Sequence, residues 1–153
     1  MMKLFLDTEF TQLDWTAKLI SIAVVDENEE LFYIELSDTY REEDCSSFVK
    51  ENVLPYLKGG QFAKPEVEAT ARLSLWIEER GVPCIFATDA PDWDMRLIDP
   101  LLIDFWPKNL SKEIVLVDID CDVANALYWD LKLTRHYSPH DALVNKRGYL
   151  NKE

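Results

Sequence analysis

Glycine is scarce in this chain: four residues in 153, at positions 59, 60, 81 and 148. Neither a G-x-x-x-x-G-K-[ST] loop nor a G-x-G-x-x-G turn can be written with them, which excludes P-loop and Rossmann nucleotide chemistry. Histidine is scarcer still, with only His136 and His140, so a zinc site built mainly on histidine is disfavoured. Cys45, Cys84 and Cys121 are odd in number and share no C-x-x-C spacing. They read as reduced thiols rather than as disulfides or zinc ligands. No apolar run approaches the roughly 20 residues of a membrane span, and Asp7 and Glu9 interrupt the first apolar stretch before it could serve as a signal peptide. The expectation is a cytoplasmic protein with no membrane partner.

What is present describes one domain over residues 1–153. The chain is 48% hydrophobic and 29% charged, enough apolar side chain for a core and too much for a disordered tail. Acid dominates, with 29 Asp and Glu against 16 Lys and Arg and a net charge of -13. It is unevenly spread: residues 1–107 hold 22 acidic and 9 basic side chains, and residues 108–153 hold seven of each. Bulk charge of this sign disfavours a nucleic-acid partner, because phosphate binding rests on an excess of Lys and Arg. A cluster of carboxylates reverses that argument if it binds divalent cations, which then become the largest positive charges in the site.

Along the chain, Lys3–Asp7, Lys18–Asp26 and Leu31–Leu36 are β-like runs separated by polar turns, which predicts an antiparallel three-strand meander. Ser46–Leu57 and Pro65–Arg80 have helical spacing, the second with Val67, Ala71, Leu75, Trp76 and Ile77 on one side and Gly81 and Pro83 at its end. Pro83–Ala87 and Glu113–Val117 are two further strands; short helices are predicted through Asp99 and over Asp120–Leu131. Ser138 as cap, Pro139 in the first turn and Asp141 three residues after the cap open a last helix, Ser138–Leu150. The pattern predicts an α/β protein with a mixed five-stranded sheet, meander first, flanked by helices. That is the element order of the ribonuclease H-like fold.

Three acid-bearing segments carry the chemistry. Asp7 and Glu9 lie two apart at the end of the apolar run Leu4-Phe5-Leu6, so an extended chain projects both carboxylates from one face. Hard oxygen ligands of this kind suit Mg²⁺ or Mn²⁺. Thr88-Asp89-Ala90-Pro91-Asp92-Trp93-Asp94 leaves a buried strand; Asp94, opening the next helix, is the first choice for a third carboxylate, and Asp89 and Asp92 are alternatives that also suit a cap or a turn. His140, in the first turn of the last helix, sits where the positive end of the helix dipole favours neutral imidazole. His136 lacks that context and reads as a surface side chain.

Taken together, these segments resemble the DEDDh 3′-5′ exonucleases, and among them the polyadenylate-specific exoribonuclease AS group. The resemblance is carried by Asp7-Thr8-Glu9-Phe10, by Leu19-Ile20-Ser21-Ile22-Ala23-Val24-Val25, by Val53-Leu54-Pro55 and by His140-Asp141-Ala142-Leu143-Val144. It implies hydrolysis of phosphodiesters at single-stranded RNA 3′ ends or in short oligonucleotides, with two Mg²⁺ or Mn²⁺ ions held by Asp7, Glu9, Asp94 and the residue at 145, and with His140 as general base. Thr8, Phe10 and Lys146 are the expected RNA contacts, and a homodimer is an assembly common in the family. The sequence departs from the motif at one place. Five residues after the histidine the family requires Asp, and this chain has Asn145. The resemblance therefore also implies reduced activity, or a catalytically impaired relative that binds RNA ends or a protein. Restoring the acid, Asn145→Asp, is expected to raise metal affinity and turnover unless another acid such as Asp141 supplies the ligand.

Overall fold

The computed structural model describes residues 1–150. Its backbone is organised by one six-stranded sheet rather than the five strands expected. β1 (Met2–Phe10), β2 (Leu19–Val25) and β3 (Leu31–Leu36) form the antiparallel meander, with Asp7 opposite Ala23 and Ala23 opposite Tyr33. β4 (Ala63–Lys64) joins β3 in parallel, while β5 (Cys84–Thr88) and β6 (Leu110–Leu116) extend the sheet in parallel from β1. The strand order is β4-β3-β2-β1-β5-β6, so β1 lies inside the sheet. The additional strand is two residues long and exists because its backbone pairs with Glu35 and Leu36. So short a segment carries no alternating pattern for a sequence to display.

The pleat of β1 divides its side chains. Leu4 and Leu6 face a core built with Ile22, Val24, Phe32 and Ile34, under α2 (Glu66–Glu78) and α3 (Pro91–Leu102). Phe5 faces the other way, toward Ala87, Val117 and Tyr149, and neighbouring Ala23 and Val25 pack on Ala142 of α5 (Ser138–Leu150). Asp7 and Glu9 continue the Phe5 row beyond the point where apolar partners end. α1 (Ser47–Asn52) and α4 (Cys121–Asp130) complete the set.

Two local expectations are corrected. In α2 the buried stripe is Ala69, Leu73 and Ile77, four residues apart, whereas Val67 and Leu75 are exposed; the apolar face expected from Val67, Ala71 and Leu75 points to solvent. In α5 the carbonyl of Tyr137 accepts from the N–H groups of His140 (2.9 Å) and Asp141 (3.1 Å), so the capping position is Tyr137. Ser138 is one residue inside and hydrogen-bonds Ser21 Oγ at 3.0 Å, pinning α5 to β2. No helix among the described residues is long and apolar enough to cross a membrane.

Candidate active site

At the end of β1 a cavity of about 300 Å³ collects acids from four parts of the chain. Asp7 and Glu9 come from β1, Asp94 from the first turn of α3, Asp141 from the first turn of α5, and Asp89 from the β5–α3 connection. Asn145 lines the same cavity one turn beyond Asp141, and Thr8 and Phe10 complete the wall beside Glu9. Of the residues singled out in the sequence, Asp7, Thr8, Glu9, Phe10, Asp94 and Asn145 are brought together.

Each carboxylate is held differently. Asp94 is 2% exposed and accepts hydrogen bonds from Thr8 Oγ1 (2.6 Å) and from Thr88 Oγ1. Thr8 projects from the opposite pleat to Asp7 and Glu9, so its hydroxyl ties α3 to β1. Burial pushes the Asp94 carboxyl up to about 6, and the two hydroxyls pull against it. Asp141 accepts from the Tyr128 hydroxyl and from the His136 backbone N–H (3.0 Å); burial raises it, with the Tyr128 bond opposing. Glu9 is pushed up to about 9, first by burial and then by the charge of Asp141. Asp7 is raised well above the usual carboxylate range by burial, then by Asp141, Glu9, Asp94 and Asp89. Although Asp7 as a residue retains some exposure, its Oδ2 has none and has no hydrogen-bond partner among the described residues. A buried carboxylate oxygen without a donor, facing four other acids, is costly unless a cation meets it.

The two histidines exchange the positions expected of them. His140 is absent from the cavity wall; its ring packs edge-on against Tyr137 at 4.7 Å, and its Nδ1 accepts the Thr134 N–H at 2.8 Å. Burial, then the Lys58 charge, lowers its pKa, which favours the neutral ring. In that tautomer Nε2 carries the proton and the one basic nitrogen is already engaged, which leaves it unable to act as a base. His136 instead lines the cavity. A ring nitrogen of His136 and one carboxylate oxygen each from Glu9 and Asp141 lie within 4.8 Å of one another. The backbone of His136 is left-handed (φ 62°), a conformation a non-glycine residue adopts only when its surroundings enforce it. The bond from its N–H to Asp141 and the edge contact of its ring with Phe48 (5.0 Å) are that enforcement.

Asn145 is 6% exposed and its Nδ2 donates to Asp89 Oδ1 at 3.1 Å. Lys146 is turned away: its ammonium lies 3.1 Å from Glu29 Oε1, which also takes Arg147 Nε at 2.8 Å. The ion pair holds α5 to the β2–β3 turn and keeps Lys146 out of the cavity.

The sequence did contain a signal for the missed pair. His136 and Asp141 are five residues apart, the same interval as His140 and Asn145. Comparison with family models and with curated proteins finds no match to this chain.

A second, apolar groove of about 460 Å³ adjoins the first and shares Glu9, Phe10 and His136 with it. Its walls are Leu13, Phe48, Val49 and Val53. Phe10 forms one side and is stacked on Trp93, with centroids 5.4 Å apart and planes 11° from parallel.

Proposed function

We propose that this chain is a divalent-metal-dependent 3′-5′ exoribonuclease of the DEDDh type on a ribonuclease H-like fold, acting in the cytoplasm on single-stranded RNA ends. The observation that carries this reading is the convergence of Asp7, Glu9, Asp94 and Asp141, with Asp7 Oδ2 buried and without a donor among the described residues. Four acids so placed fit hard divalent ions. Asp7, Glu9 and Asp141 would hold Mg²⁺ or Mn²⁺ directly, and Asp94, fixed by two threonine hydroxyls, would complete the set. Two such ions, when bound, supply charge neutralisation at the phosphate and acidify the attacking water.

The remaining steps belong to the chain's own groups. His136 has no ring hydrogen bond among the described residues and faces the acids, so a ring nitrogen is free to accept the proton of the attacking water. His136 and Asp141 meet the five-residue requirement of the family motif that His140 and Asn145 fail. The apolar groove beside them receives the terminal base, with Phe10, backed by Trp93, as the stacking surface.

Asn145 favours a second reading, an RNA-end-binding relative without turnover, because the family places an acid there. The two separate in one experiment: purified protein with Mn²⁺ and a single-stranded RNA bearing a free 3′-OH, beside an Asp7→Ala control. Progressive 3′ shortening by the wild type alone supports the enzyme. Binding without shortening supports the second reading, and neither binding nor shortening removes both.

A further inference from the structure

Arg135 stands between two cavities. The acid-lined one shares Asp89, Tyr128, Arg135 and Asn145 with a neighbour of about 300 Å³ that reaches toward Val117 and Cys121. This neighbour has no residue in common with the apolar groove, so the three spaces lie in sequence, with the acids in the middle.

Arg135 is held by neutral groups. Its guanidinium lies over the Tyr128 ring, 4.2 Å from the centroid, and donates to the Asn125 side-chain oxygen. Among the described residues it forms no salt bridge, although Asp89 and Asp118 line the neighbouring cavity with it. Arg72, Arg80 and Arg147 are paired with glutamate or aspartate; Arg41 and Arg96 form no salt bridge among the described residues either, Arg96 lying over the Trp93 ring, but of these three only Arg135 lines the acid-lined cavity. A neutral ring and a neutral amide orient Arg135 without cancelling its charge, and the side chain is exposed at the mouth of the cavity. Tyr128 is the link: its hydroxyl donates to Asp141 while its face carries Arg135.

We infer that Arg135 binds a backbone phosphate of the substrate beyond the scissile one, so that the ligand is a strand running from the apolar groove, across the acids, into the Arg135 cavity. The inference rests on the exonuclease reading of the site and adds to it a contact with a phosphate other than the scissile one. Arg135 supplies the bidentate fork, and Tyr128 is a positioning residue.

The test is binding of a 5′-fluorescein single-stranded RNA octamer by anisotropy, with Ca²⁺ as the divalent ion, across a salt series. Arg135→Ala is expected to weaken binding about tenfold and to lower the slope of log K against log salt by about 0.7, the loss of one phosphate contact on a single strand. Arg135→Lys is expected to keep the slope and lose part of the affinity, because the charge remains and the stacked fork does not. Tyr128→Phe retains the ring and is expected to retain the slope, and Arg72→Ala, on the outer face of α2, is the control that should match the wild type. A wild type that binds and trims RNA beside an Arg135→Ala variant of unchanged slope and affinity overturns the Arg135 inference alone. A wild type that neither binds nor trims overturns it together with the proposed function.

Discussion

Replacing Asn145 by Asp is the substitution on which the family motif and this structure disagree most sharply. In the motif it restores a lost metal ligand. In the structure it exchanges an N–H donor, 3.1 Å from Asp89 Oδ1, for a second carboxylate. Two unit charges at that distance repel by about 5 kcal/mol at an effective dielectric of 20 and by about 1 kcal/mol in bulk water. Asp89 is exposed and Asn145 is not, which puts the repulsion near 2 kcal/mol, and the lost hydrogen bond adds roughly 1 kcal/mol. For a domain of this size about 3 kcal/mol corresponds to a fall in Tm of roughly 8 °C. The new acid escapes the penalty by keeping its proton, so the loss belongs to pH 8 and fades toward pH 5. Thermal unfolding in EDTA at both pH values reads it directly. Because Asp141 already provides the fourth carboxylate, Mn²⁺ affinity and RNA trimming are expected to stay within about threefold of wild type, whereas Asp141→Asn should lower metal affinity at least 10–100-fold. A gain of tenfold or more in both, with no loss of metal-free Tm, would place the ligand at 145 and refute the assignment to Asp141.

The histidines give a second discrimination: His136→Ala should lower kcat by about 10²–10⁴-fold with Mn²⁺ affinity largely retained, and His140→Ala should leave kcat within a few-fold. Equal losses in the two variants would contradict the proton-acceptor role given to His136. A third prediction concerns pH and metal together. With Glu9 raised to about 9, Asp94 to about 6, and Asp7 and Asp141 raised as well, the metal-free folded state keeps protons that the unfolded chain releases near pH 4. The contribution of these groups is complete below that range and is lost as pH rises through 6 and on to 9. Tm in EDTA is expected to decline between pH 5 and pH 9, and saturating Mn²⁺ to remove most of the decline. A Tm that is flat with pH, or unresponsive to Mn²⁺ at pH 8, would refute the electrostatic account of the cluster.

What could be read from the sequence divides along a physical line. The meander, the two later strands and the acid pair at the end of β1 were legible because strands buried on both faces read as short continuous apolar runs bounded by polar turns, and Asp7-x-Glu9 stands where the first of these runs ends. Asp94 was legible because a polar turn after a buried strand leads into a helix whose first turn faces the sheet. β4 was not, since a two-residue strand is made by its partner. The buried side of α2 was misassigned because Val67, Leu75 and Trp76 are apolar on a partly solvated face, and only the position of the sheet decides between that face and Ala69-Leu73-Ile77. Lys146 appeared free for phosphate because its partner, Glu29, is 117 residues away along the chain.

The structure lines the cavity with His136 rather than His140, and the reason lies in the start of α5. His136 with Asp141 and His140 with Asn145 are the same spacing displaced by four residues, so misplacing the helix start by about one turn exchanges one pair for the other. Periodicity cannot separate registers that differ by a turn. What separates them is where the helix begins. With the cap at Tyr137, His140 lies inside the first turn and its ring is taken by Tyr137 and Thr134, while His136 lies outside, in a left-handed backbone that turns it toward Glu9. Asp141, in the first turn, then lies against Glu9, and Asn145, one turn and about 6 Å farther along α5, meets Asp89 instead. The amide at 145 donates to Asp89, where a carboxylate would meet a like charge, and the same placement of α5 against β1 sets His136 and Asp141 at the acid-lined cavity.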